Sequence, residues 1–151
     1  MQYFSIISCT LFLIFVVYFP KQVSCGEITL KIKNYNSRDG FIHIAIYNNK
    51  IDFPNEKGKY LGFKEKANSV IDKGFIIYNL EENNYAIAIY HDENGNNKFD
   101  TFFGIPKEKY GFSMNAKIFL SAPSFEDSSF SVKNSEKKDI EIELKWVKKE
   151  F

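Results

Sequence analysis

Cysteine is confined to the first twenty-five residues. The 151-residue chain has two, Cys9 and Cys25. Everything after residue 25 can therefore form no disulfide and offers no thiol nucleophile or thiolate metal ligand. Histidine is almost as scarce, with only His43 and His91. Neither charge sign is in excess: 20 Lys and Arg face 19 Asp and Glu. The two signs are interspersed and no basic patch separates out, so nucleic acid is not an expected partner. No segment carries a long helical stripe, which excludes a helical bundle and a helix-covered parallel sheet.

Residues 4–19, FSIISCTLFLIFVVYF, are the longest apolar run. As a helix they would reach about 24 Å, short of a bilayer core of about 30 Å. Pro20 ends the run, and Val23, Ser24 and Cys25 put small side chains before Gly26. This pattern predicts a signal peptide over 1–25 and a periplasmic or secreted domain over 26–151. No Lys or Arg precedes the run, and Lys21 follows it. An uncleaved leader, anchoring the domain to a membrane and facing outside the cytoplasm, is therefore kept as the alternative. Cys25 sits between Ser24 and Gly26 as in a lipobox, although Gln22 stands where Leu or Val is expected. Lipidation of Cys25 is the third fate considered.

From Gly26 onward, period two dominates. Ile28, Leu30 and Ile32 alternate with Thr29, Lys31 and Lys33; Ile140, Ile142, Leu144 and Trp146 alternate with Glu141, Glu143 and Lys145. Each run predicts a strand with those apolar residues facing the core. Further strands are expected over 41–47, 74–80, 85–91 and 130–133, with a short one over 110–114 or 117–120. Residues 85–90, YAIAIY, are apolar on both faces, which predicts a central strand covered on both sides. The turn at 36–40 ends in Asp39 and Gly40 and is read as a hairpin joining the first two strands. One short helix is allowed around 64–68. The expected fold is all-β: a two-sheet antiparallel β-sandwich of about 7 strands, an immunoglobulin-like or prealbumin-like Greek key. A monomer is expected.

Residues 92–100, DENGNNKFD, form the one stretch that resembles a site. Asp92, Asn94 and Asn96 place oxygen side chains at alternate positions, and Asp100 closes at the ninth. That spacing matches most of a calcium loop, in which the seventh residue, here Lys98, contributes its backbone carbonyl. The metal ligand set is thus Asp92, Asn94, Asn96, Lys98 and Asp100, with calcium as the cofactor. The sixth position is Asn97 rather than Gly, and the twelfth is Phe103 rather than a bidentate Glu. A helix–loop–helix hand is therefore excluded, and a last ligand would come from elsewhere: Glu108, Glu126 or Asp127. The same residues are also ordinary turn formers, so a metal-free polar turn stays open.

The run NLEENNYAIAIYHDENGNNKFD at 79–100, continued by FFGIPKEKYGFS at 102–113 and APSFEDSSF at 122–130, resembles the DUF2141 family of exported bacterial proteins of unknown function. Here Asn97 stands where the family's loop has its second Gly, and Asn83-Asn84 where the family has Pro-Gly. The resemblance implies a small exported β-domain. It supplies no catalytic residue.

The catalytic set is left empty. His91 and Asp92 are adjacent, so on an extended strand they point to opposite faces. His91 is expected to hold the loop through its ring, and His43 would face it if their strands are neighbours. Phe99, Phe102, Phe103, Tyr110 and Phe112 surround Gly104, Ile105 and Pro106. They are read as burying a long connection, with an aromatic platform for sugar or peptide as the alternative. The leading functional reading is a non-catalytic exported domain that binds or supports an envelope protein or glycan. The other is a small periplasmic hydrolase with a carboxylate or metal-assisted site.

Overall fold

The computed structural model describes residues 24–119 and 121–146. The predicted leader lies outside this range except for its last two residues, and Cys25 is half-buried with a free thiol.

Strand β1 (Gly26–Lys33) buries Ile28, Leu30 and Ile32 and turns Lys31 and Lys33 to solvent. It is flanked by β4 (Phe75–Leu80), antiparallel, and by β10 (Lys137–Glu143), parallel. The register sets Leu30 beside Ile140 and Ile32 beside Ile142, so both strands present one apolar row to the core. The second sheet runs β3 (Leu61–Lys66), β2 (Phe41–Tyr47), β5 (Asn83–Asp92), β8 (Tyr110–Phe112), all antiparallel. Strand β9 (Ser129–Val132) pairs with the first half of β5, and β8 with the second half. A small hairpin of β6 (Thr101–Phe102) and β7 (Ile105–Pro106) makes a third sheet.

The two large sheets bury one apolar cluster, with Ile28, Leu30 and Ile32 from the first and Ile42, Ile44, Ile87 and Ile89 from the second. Helix α1 (Ala67–Lys73) adds Ala67 and Val70 to it. The opposite face of the second sheet is covered too. Tyr47, Ala86, Phe112, Phe53 and Ala116 form a separate cluster there, joined by Phe125 of the short helix α2 (Phe125–Ser128). Strand β5 is thus central and covered on both sides, as its sequence requires.

Four expectations change. The described strands form three sheets rather than two, and β1 with β10 is parallel. A parallel pair needs a long connection, and the two strands are the first and last of the domain. The 36–40 turn is no hairpin, because β1 and β2 lie in different sheets. The helix starts at Ala67, after 64–66 have paired with β2. Trp146 is 45% exposed although Leu144 is buried. Pairing with β1 ends at Lys33 and Glu143; Lys145 then bridges to Tyr110 of β8, and Trp146 is left at a surface cleft beside Lys117, Ile118 and Phe119. Of the two short strands considered, 110–112 forms. Residues 117–119 are not a strand, and Leu120 is outside the described residues.

Candidate functional site

Asp92 ends β5, and the register puts Phe41 of β2 beside it. Just before Phe41, Gly40 has φ +72°, and a Cβ there would lie 2.0 Å from the Asp92 carbonyl oxygen. Only glycine allows the two backbones to approach so closely. On the other side of the same strand, His91 is fully buried and its Nε2–H donates to the Asp39 carbonyl at 2.8 Å. The loop is therefore clamped at its root by backbone contact and by the histidine ring.

The Asp92 carboxylate is fully buried. Its Oδ1 accepts from the Asn96 N–H at 3.1 Å, and its Oδ2 from the Asn97 N–H at 2.9 Å. His43 Nε2 approaches Oδ2 at 3.3 Å. Burial alone would raise the Asp92 pKa, but the Asn97, Asn96 and Gly95 backbone donors and His43 outweigh it and hold the carboxyl below its ordinary range. Asn97 takes φ +63°, the left-handed conformation that Asn tolerates better than other non-glycine residues. Its side-chain oxygen accepts from Lys64, whose ammonium also stands 3.7 Å from the centre of the Phe41 ring.

Asn94 and Asn96 act as a pair. Their side-chain oxygens accept from the backbone of Asn96 (3.0 Å) and Lys98 (2.8 Å). Their amide nitrogens both reach Asp100 Oδ2, at 2.8 and 2.9 Å. Two of the loop's polar side chains thus converge on one carboxylate oxygen. The Asp100 N–H donates to Glu108 Oε2 at 3.1 Å. Glu108 is only 5% exposed. Burial pushes its pKa up to about 7, against the pull of the Asp100 N–H, and the negative charges of Asp92, Asp100 and Glu93 push the same way.

Beside the loop, the outer face of the second sheet opens into a groove of about 590 Å³. His43, Ala45, Ala88 and Tyr90 form its floor, and Phe99, Phe103 and Ile105 rise from the loop and the small hairpin. His43 stacks on Tyr90 with ring centres 4.5 Å apart. Phe99 packs between Tyr90 and Tyr110, at 5.2 and 5.3 Å. Desolvation lowers the His43 pKa, opposed by Asp92.

The family pattern of DUF2141, an uncharacterized protein conserved in bacteria, matches residues 30–140, a span that takes in the loop, Glu108 and the groove. The chain belongs to the DUF2141 family. No curated protein and no solved structure gives a match.

In this DUF2141 domain the residues singled out in sequence stand as follows. Asp92, Asn94, Asn96 and Asp100 are linked in one hydrogen-bonded loop, and the Lys98 N–H helps to turn it. Among the described residues, no group of three or more His, Cys, Asp or Glu is placed to hold a metal ion. Two of the five candidate ligands, Asn94 and Asn96, are amides, whose oxygens calcium accepts. Of the three residues offered as a last ligand, Glu108 lies at the loop. Glu126 and Asp127 belong to α2, which leads into β9 at Ala86, six residues and about 20 Å along β5 from Asp92. His91 holds the loop root through a ring-to-backbone bond, as expected. The two histidines do not face each other: Ile42 stands beside His91 and Tyr90 beside His43, which puts the rings on opposite faces. Tyr110 and Phe112 are covered, whereas Phe102 and Phe103 project outward. The His43–Asp92 contact escaped the sequence, because it depends on the register between β2 and β5.

Proposed function

We propose that this DUF2141 protein is an exported, non-catalytic domain that takes calcium in its 92–100 loop and binds or supports an envelope protein or glycan. The carrying observation is the convergence of the Asn94 and Asn96 side chains on Asp100 Oδ2, in a loop rooted on the buried Asp92. Two amide N–H groups neutralise that carboxylate where a hard cation would do so. Each Asn oxygen keeps its backbone N–H bond and has a second lone pair for calcium, while the amide N–H groups give up Asp100 to the ion. The ligands are Asp92, Asn94, Asn96, the Lys98 carbonyl and Asp100. In this reading, the two large sheets are the layers of a Greek-key sandwich of immunoglobulin-like or prealbumin-like kind. Residues 1–25 direct export to the periplasm or beyond. Cys25 lipidation or an uncleaved leader would instead hold the domain at a membrane; among the described residues no helix is long and apolar enough to cross one. The domain works as a monomer.

One observation favours the hydrolase alternative. A buried aspartate is paired with a histidine in the floor of a largely apolar groove, an arrangement that general-base chemistry uses. The pair is already accounted for by the loop's own hydrogen bonding, so the binding domain is preferred. Calorimetric titration of the purified protein with calcium tests the preferred reading. Saturable binding at one site, lost in Asp92→Asn, is expected; no binding would remove the metal from the function.

A further inference from the structure

We propose that Glu108 is the carboxylate that closes the calcium site, delivered across the sheet from the approach to β8 rather than by the twelfth position of the loop. This rests on the reading of the 92–100 loop as a calcium site. The twelfth position is Phe103, whose side chain is 90% exposed and offers no donor. Glu108 reaches the loop by strand register. Tyr90 pairs with Tyr110, and the His91 N–H donates to the Lys109 carbonyl at 2.9 Å. Just before this pairing, Glu108 lies in the bend that leads into β8, close enough to the loop for its carboxylate to accept from the Asp100 N–H.

The state of its carboxylate is what points to a cation. Oε2 accepts from the Asp100 N–H. Oε1 is buried and has no hydrogen-bond partner among the described residues. Among the described residues no Lys, Arg or His pairs with Glu108. Neighbouring Lys109 gives its ammonium to the Asn34 carbonyl and side-chain oxygen, at 2.6 and 3.2 Å. A buried carboxylate facing two other carboxylates, with one oxygen free and no countercharge, is unfavourable unless it takes up a proton or a cation joins it. Adding Glu108 gives six ligand residues, three of them carboxylates, which suits the six to eight oxygens of a calcium shell. The three carboxylates do not cluster in this structure, where amide groups stand between them, so binding must draw Glu108 and the loop together.

This has a structural consequence. Asp100 and Glu108 bracket the segment that carries the small hairpin, and that segment supplies Phe103 and Ile105 to the groove. A cation held at both ends would pin one wall of the groove.

The test compares wild type, Glu108→Gln and Asp92→Asn by calcium calorimetry, melting in chelator, and hydrogen exchange over 101–107. Glutamine keeps an acceptor for the Asp100 N–H and removes only the charge. It should bind calcium at least about tenfold more weakly than wild type, yet melt no lower in chelator. Calcium should slow exchange over 101–107 in wild type and not in Glu108→Gln. Should Glu108→Gln fail to fold, Glu108→Asp keeps the charge with a shorter reach and should bind severalfold more weakly. Wild-type affinity in the Glu108 variants, with binding lost in Asp92→Asn, would overturn the role of Glu108 and leave the loop reading standing. Absence of calcium binding by wild type would overturn both.

Discussion

His43 Nε2 lies 3.3 Å from Asp92 Oδ2, so the groove floor and the root of the loop share a hydrogen bond. The two residues are 49 positions apart and meet through the pairing of β2 with β5. His43 also stacks on Tyr90, which makes it a packing residue as well as a donor.

His43→Ala should therefore cost about 1–3 kcal/mol, from the lost bond to a buried carboxylate and the lost stack. The Asn96 and Asn97 N–H groups still hold Asp92 in the variant, so calcium binding should survive. Urea unfolding in chelator and calorimetry in calcium measure the two effects separately. A large loss of calcium affinity with unchanged stability would assign His43 to the metal site instead.

Gly40→Ala should be among the most damaging changes at the loop. The added methyl would sit 2.0 Å from the Asp92 carbonyl oxygen, on a residue at φ +72°. The left-handed conformation alone costs about 1–2 kcal/mol for an L residue, and the backbones must also separate. A loss of more than about 2 kcal/mol in denaturant unfolding is expected. A change within about 0.5 kcal/mol would mean that the β2 and β5 ends are not in this close contact.

The aromatic tract should divide by burial. Phe112 packs with Phe53 in the outer cluster at 5.7 Å, and Phe112→Ala should cost about 3–5 kcal/mol. Phe103→Ser, at an exposed position, should stay within about 0.5 kcal/mol of wild type. Equal effects on the melting midpoint would show that the groove is closed in solution by burying Phe103.

What the sequence revealed was the alternation and its consequences. Ile28, Leu30, Ile32, Ile140, Ile142 and Leu144 are buried where their spacing put them, and β5 is central because it is apolar on both sides. Sequence spacing reports which face a residue takes, and not which strand lies beside it. That is why the parallel β1–β10 pair, the separation of β1 from β2 and the His43–Asp92 bond were hidden. Trp146 followed the same alternation yet lies past the end of the pairing with β1, where the chain crosses to Tyr110 and leaves the ring partly exposed. The loop was visible as a string of oxygen residues. Glu108 could be named as a candidate, but only the β5–β8 register distinguishes it from Glu126 and Asp127.

Thermal unfolding of the protein in calcium, in magnesium and in chelator tests the central claim most directly. For a site with Kd on the order of 10⁻⁴ M, about 2 mM calcium should add roughly 1.8 kcal/mol of stability. Magnesium should add much less, because it holds its water and needs a tighter octahedral shell. The expected result is a melting temperature that rises with calcium concentration in wild type and not in Asp92→Asn. Superimposable melting curves for wild type in calcium and in chelator would contradict it, and would leave the 92–100 loop as a polar turn.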